Sequence, residues 1–175
     1  MISAPRMRSA EALFDNVGAP YGSFRDVSSA MGPGITARYS SRGAAFGDYD
    51  NDGGVDILIL NMNEPPSLLH NVGGNKQNWI KLKLIGTKCN RTAIGARARV
   101  ITGKHSQIAE VQSGASVMSQ NDLRLHFGLG SNKTVDAIEI KWPTTQKTER
   151  FENLKPNQII TIREGDGIIG INPRA

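Results

Sequence analysis

The chain has 175 residues, with 21 Lys and Arg against 16 Asp and Glu and a net charge of +5, a length that holds one domain or two small ones. A single cysteine, Cys89, excludes an intrachain disulfide and any cysteine-based metal site. No apolar run reaches the roughly 18 residues of a helical membrane span, and the 19 glycines, with no long helical period, predict a β-rich soluble protein.

Charge is unevenly spread. Residues 1–77 carry 6 bases and 8 acids, and residues 78–175 carry 15 bases and 8 acids, which predicts two units with different surfaces. The opening "MISAPRMRSAEALF" lacks the apolar centre of a signal peptide. The chain is therefore read as cytoplasmic, or as a piece of an exported protein without its leader.

Residues 1–12 read as a flexible terminus. "LFDNVG" at 13–18 matches "LLHNVG" at 68–73, 55 residues later; the match is either coincidental or an internal repeat with the period of a propeller blade. If it is a repeat, the first copy begins in mid-unit. Residues 19–42 are rich in Gly, Ser and Pro and read as a loop around one short strand near Phe24–Val27. Two strands follow, Gly43–Gly47 and Val55–Met62, and "NEPP" at 63–66 stops the second.

From Asn78 the pattern becomes strict alternation. "NWIKLKLI" sets Ile80, Leu82 and Leu84 opposite Lys81 and Lys83. "GARARV" sets Ala96, Ala98 and Val100 opposite Arg97 and Arg99. "DLRLHFGL" sets Leu123, Leu125, Phe127 and Leu129 opposite Arg124 and His126. "AIEIKW" sets Ile138, Ile140 and Trp142 opposite Glu139 and Lys141, and "QIITIR" turns Ile160 and Ile162 inward. A period of two marks strands with one buried and one wet face. About seven such strands joined by short turns make an antiparallel β-sandwich or barrel.

Between the two early strands lies "GDYDNDGGVDILIL", with four aspartates in nine positions. Counting Asp48 as the first, carboxylates fall at positions 1, 3, 5 and 9, with Gly53 at 6 and the Gly54 carbonyl at 7. Calcium takes six to eight oxygens from such mixed sets. Alternate residues of a tight loop aim at one centre, and Gly53 permits the sharp turn. An EF-hand is excluded, because Ile59 stands where that motif needs a bidentate Glu, and magnesium keeps more waters than this set leaves room for. The bland alternative is a polar hairpin turn.

"RGAAFGDYDNDGGVDILILN" resembles an FG-GAP (VCBS-type) repeat, the calcium-loop blade of integrin-like β-propellers, and "LLHN" is similar to the strand that follows the loop there. Residues 78–145 resemble the ASPIC/UnbV domain through "NWIKLKLIGTKCNRTAIGARARV", "EVQSGASVMSQNDLRLHFGLG" and "VDAIEIKWP". Together the two resemblances cover about 130 of the 175 residues. They imply an all-β chain: one propeller-blade-like calcium-loop repeat, complete only over part of residues 13–75, then a sandwich over 78–165 and a tail over 166–175. They imply calcium at Asp48, Asp50, Asp52 and Asp56, and binding or adhesion outside the cell or in the periplasm rather than catalysis. The chain departs from the family pattern in having too few repeats to close a propeller and no export signal, which fits the C-terminal part of a larger protein. A lone blade cannot bury both of its faces, so residues 13–75 are expected to pack against the sandwich or against a second copy of the chain.

Other candidates are weaker. His70, His105 and His126 have no metal-ligand spacing and read as structural. No nucleophile elbow or phosphate-cradling loop occurs, and Cys89 has no histidine nearby in sequence. "SGASVMSQND" at 113–122 offers Ser119, Gln120, Asn121 and Asp122 to a glycan or peptide, or is a connector fixed by Asx-type turns. Asn90 and Arg91 face a ligand, or Arg91 pairs with a local carboxylate. Trp79 shares parity with Lys81 and is expected to be exposed, a candidate for sugar stacking, whereas Trp142 belongs in the core. The outward Lys81, Lys83, Arg97, Arg99, Arg124 and Lys141 form a basic patch for a polyanion, or a solvated face. Without interleaved aromatics, specific nucleic-acid reading is not expected. The reading is thus a non-catalytic, calcium-stabilised module for a protein or glycan ligand. A carbohydrate- or polyanion-binding module and a hydrolase with an unrecognised site are the alternatives.

Overall fold

A computed structural model describes residues 9–10, 12–16, 22–73, 76–114 and 116–173. Most of the expected flexible terminus, and the Val-Gly that ends the first repeat copy, lie outside the described residues.

The first unit is a set of small sheets. Strand β1 (Ser9–Ala10) pairs with β4 (Arg38–Tyr39), and β2 (Phe14–Asn16) with β3 (Phe24–Asp26). A short helix, α1 (Pro33–Thr36), follows β3. Strands β5 (Ser41–Gly47), β6 (Asp56–Asn61) and β7 (Ser67–Leu69) then make an antiparallel three-stranded sheet. One of its faces holds buried Ile59 and lies near α1, where a Cβ at Gly34 would come within 2.7 Å of Leu69. The other carries Leu58, Leu60 and Leu68, all about half exposed.

The second unit is a sandwich of two four-stranded sheets and no closed barrel. Its strands are β8 (Asn78–Ile85), β9 (Arg97–Thr102), β10 (His105–Glu110), β11 (Leu125–Gly130), β12 (Val135–Lys141), β13 (Thr148–Leu154), β14 (Gln158–Arg163) and β15 (Gly167–Pro173). One sheet runs in the order β11-β8-β14-β15 and the other in the order β10-β9-β12-β13. The alternating apolar residues meet between them: Ile80, Leu82, Val100, Phe127, Ile138, Ile140, Trp142, Ile160 and Ile162 are buried in one core. Trp142 takes its expected place there, with its indole N–H donating to Glu149 at 3.0 Å.

Three features differ from the sequence expectation. Strands β8 and β14 pair in parallel within an otherwise antiparallel scheme. The chain between them supplies β11 to the same sheet and β9, β10, β12 and β13 to the other, so β14 enters beside β8 in the same direction. The segment read as a tail holds β15, paired with β14 through Ile160 opposite Ile171.

The outward bases also do not form one patch. Arg97, Arg99 and Lys141 lie on the β9-β12 face, where Arg99 faces Glu139 at 3.5 Å and Arg97 faces Glu110 at 3.7 Å. Lys83 and Arg124 lie on the other sheet's side, and Lys81 is only 1% exposed. A sandwich has two outer faces, and here part of one is covered by the first unit.

Candidate metal-binding loop

Residues 48–55 join β5 to β6, and the loop folds over its own carboxylates. Asp48 accepts the Gly53 N–H at 3.0 Å, Asp50 accepts the Asp52 N–H at 3.2 Å, and Asp52 accepts the Gly54 N–H at 2.6 Å. The last two are Asx turns, in which a short acidic side chain replaces a backbone acceptor, and the first closes the loop across five residues. Asp56, at the start of β6, accepts Tyr49 N–H through one oxygen and Asn71 N–H through the other. The result is that Asp48, Asp50 and Asp52 bring carboxylate oxygens within 4.8 Å of one another.

A second grouping is Asp50, Asp56 and His70, with His70 Nδ1 3.0 Å from Asp56 and 3.8 Å from Asp50. The sequence reading gave His70 no part in this loop. The signal was register: β7 returns beside β6 with Leu69 opposite Ile57, which sets His70 beside Asp56.

The loop is docked on the outer face of β8. Asp48 and Asp56 are buried, and Asp48 forms a sealed ion pair with Lys81. Burial works to raise the Asp48 carboxyl pKa, but the Lys81 ammonium and the Gly53 N–H outweigh it and hold the pKa below the ordinary value. Gly53, at φ 95°, passes directly over Trp79: a Cβ there would fall 1.9 Å from the indole nitrogen. Trp79 is therefore 2% exposed rather than a surface platform, because the loop supplies the second cover that strand parity alone does not foresee. His126 lies beside it at 5.9 Å between ring centroids, and its pKa is lowered by burial first and by the Lys81 charge next.

The 113–122 connector serves the same junction. Strand β5 has β6 on one side only, and its other edge is covered by this connector. Ala44 N–H donates to Ser119 at 3.1 Å, Phe46 N–H donates to Asn121 at 3.0 Å, and Asp122 N–H donates back to the Phe46 carbonyl at 2.9 Å. Gly43 permits this approach, since a Cβ there would sit 2.9 Å from the Met118 carbonyl. Gln120 braces the connector through Gly114 N–H at 2.9 Å. Asp122 holds Arg124, which also donates to Asn51 and to the Asp48 carbonyl. In the next loop Asn90 is likewise engaged, donating to the Ile94 carbonyl and accepting from Ile94 N–H, both at 2.8 Å. Arg91 makes no ion pair among the described residues.

One test of fit with a cation is available in the loop itself. Asp48 Oδ1 is buried and has no hydrogen-bond partner among the described residues. An unsatisfied buried carboxylate oxygen is costly, and here it stands in a cluster of hard oxygen donors, the chemistry that calcium prefers. Gly54 is buried within the same turn, beside Asp52.

Residues 86–169 match the family model of ASPIC and UnbV. The matched ASPIC/UnbV stretch spans most of the sandwich, but β8 and the acidic loop lie before it. The chain is also similar to cartilage acidic protein 1 of Xenopus tropicalis, at 29% identity over 65% of this chain and 18% of that protein. Similarity to cartilage acidic protein 1 of Homo sapiens is 26% over 84% of this chain and 22% of the relative, and the Mus musculus protein matches at the same identity. The chain thus spans about a fifth of the length of these relatives. Among the described residues no helix is long and apolar enough to cross a membrane.

Proposed function

We propose that this chain is a non-catalytic recognition and adhesion module, acting outside the cell or in the periplasm, in which calcium locks an FG-GAP-like blade to an ASPIC/UnbV-like sandwich. Asp48, Asp50 and Asp52 would hold the ion through carboxylate oxygens, with Asp56 and the Gly54 carbonyl completing the set. When bound, calcium supplies charge balance and crosslinking rather than reactivity. The single observation that carries this reading is the buried Asp48 Oδ1, without a hydrogen-bond partner among the described residues, beside carboxylates within 4.8 Å.

The His70 grouping favours a borderline metal such as zinc as a second reading. Calcium is preferred because the Asp48, Asp50 and Asp52 grouping offers carboxylate oxygens alone, the hard donors that calcium takes. The half-exposed Leu58, Leu60 and Leu68 support self-association as a way to cover the blade. Native mass spectrometry tests the metal reading. One calcium adduct per chain is expected, lost in Asp50→Asn/Asp52→Asn; a zinc adduct in its place, or no adduct at all, would contradict it.

A further inference from the structure

Beyond Lys81 the outer face of the β11-β8-β14-β15 sheet is no longer covered, and a groove of about 1010 Å³ opens there. Parity and register set its floor: Lys83 and Ile85 of β8 lie beside Thr161 and Arg163 of β14, with Ile159 one step before. Asn51 of the acidic loop closes one end, and the loop around Arg91 lines the other.

Six charged side chains line this groove: Lys83, Arg91, Arg124, Arg163, Asp122 and Asp166. Arg124 is consumed by Asp122, Asn51 and the Asp48 carbonyl, and Arg163 faces Asp166 at 3.4 Å. Lys83 and Arg91 are left with no ion pair or side-chain hydrogen bond among the described residues. The loop that carries Arg91 is rigidly built. Glu164, buried at the end of β14, accepts the N–H groups of Thr87, Lys88 and Cys89 at 2.8–3.0 Å, and Gly86 N–H donates to the Arg91 carbonyl at 3.1 Å. A guanidinium presented from such a turn binds with little of the ordering cost that a flexible loop would add.

We propose that this groove binds an extended acidic peptide segment of a partner protein, with carboxylates on Lys83 and Arg91 and aliphatic side chains over Ile85 and Ile159. Arg and Lys match carboxylate oxygens directly, and the aliphatic floor suits side chains between them. No aromatic ring lines the groove, so a sugar ring or a base finds no stacking surface. The proposal rests on the recognition reading but needs no ion in the acidic loop, from which Asn51 alone lines the groove.

Fluorescence anisotropy of a fluorescein-labelled peptide of alternating Glu and Leu, titrated with the full chain at low and physiological ionic strength, tests it. Saturable binding is expected, weakened about tenfold or more in Lys83→Glu/Arg91→Glu and unchanged in Arg97→Gln/Arg99→Gln on the opposite sheet. Single Arg91→Ala and Lys83→Ala variants, checked by melting, guard against misfolding and should each weaken binding several-fold. No saturable binding, equal loss in both double variants, or tighter binding of a uronate oligosaccharide would overturn the proposal. A peptide recovered cleaved would overturn the recognition reading itself, whereas an intact but unbound peptide overturns only the groove.

Discussion

Asp48 of the acidic loop and Lys81 of β8 form an ion pair sealed from solvent, with side chains 0% and 1% exposed. The two residues are 33 apart in sequence and belong to different units. Their pairing converts the outer face of β8 into an interface with the acidic loop.

Removing one partner of such a pair leaves a bare buried charge. Lys81→Ala is expected to lower stability by about 3–5 kcal/mol in urea denaturation. Asp48→Asn/Lys81→Met should lose less than the sum of the single changes, because neither charge is then stranded. Strict additivity would show that the pair is not energetically coupled.

Gly53→Ala places a methyl where the Trp79 indole now sits and forces an L side chain to a φ of 95°. A loss of about 2 kcal/mol is expected from strain and overpacking together. The accompanying spectroscopic change should be a red shift in the Trp79 share of fluorescence, with Trp142 unmoved in the core. Trp142→Phe in the same background isolates that signal.

Glu164 sets the acid stability of the sandwich end. Burial opposes its ionisation, but three backbone N–H groups overcome this and hold its pKa at about 2, against an ordinary 4.5. A depressed carboxylate contributes stability above the unfolded pKa and loses it as pH falls through the folded one. Wild-type stability should therefore drop between about pH 4.5 and 2 by more than that of Glu164→Gln, as followed by circular dichroism. Parallel curves would contradict the assignment.

The same carboxylate shields Cys89. Burial first, and then the hydrogen bond and charge of Glu164, push the thiol up to about 11. Reaction with a disulfide reagent near neutral pH should be slow, because the thiolate is the reactive form. Glu164→Gln should accelerate it at constant pH; an unchanged rate would mean that Glu164 does not control the thiol.

The strands of the sandwich are legible because each buries one side against a single core, so Ile80, Leu82, Ile138 and Ile160 announce themselves by parity. The same rule places Trp79 and Lys81 on the wet face, where the structure buries both. Parity reports which face a residue shares, not whether a distant segment covers that face. The aspartates were readable from spacing, since Asx turns are local, but His70 reaches them only through the β6-β7 register. Ser119 and Asn121, readable either as ligand contacts or as a connector, give their polar groups to β5 some 75 residues away, a pairing that no local pattern announces. Strand β15 was missed because Gly167, Gly170 and Pro173 dilute its alternation.

In the proposed function a calcium-bound loop would pin the β5-β6-β7 sheet to the sandwich. Thermal unfolding of the wild type and of Asp50→Asn/Asp52→Asn, each in calcium and in excess chelator, tests it most directly. Calcium should raise the wild-type midpoint by several degrees, as expected for an ion that binds only the folded state, and leave the variant unmoved. Identical wild-type midpoints in calcium and in chelator would mean that no calcium ion holds the loop.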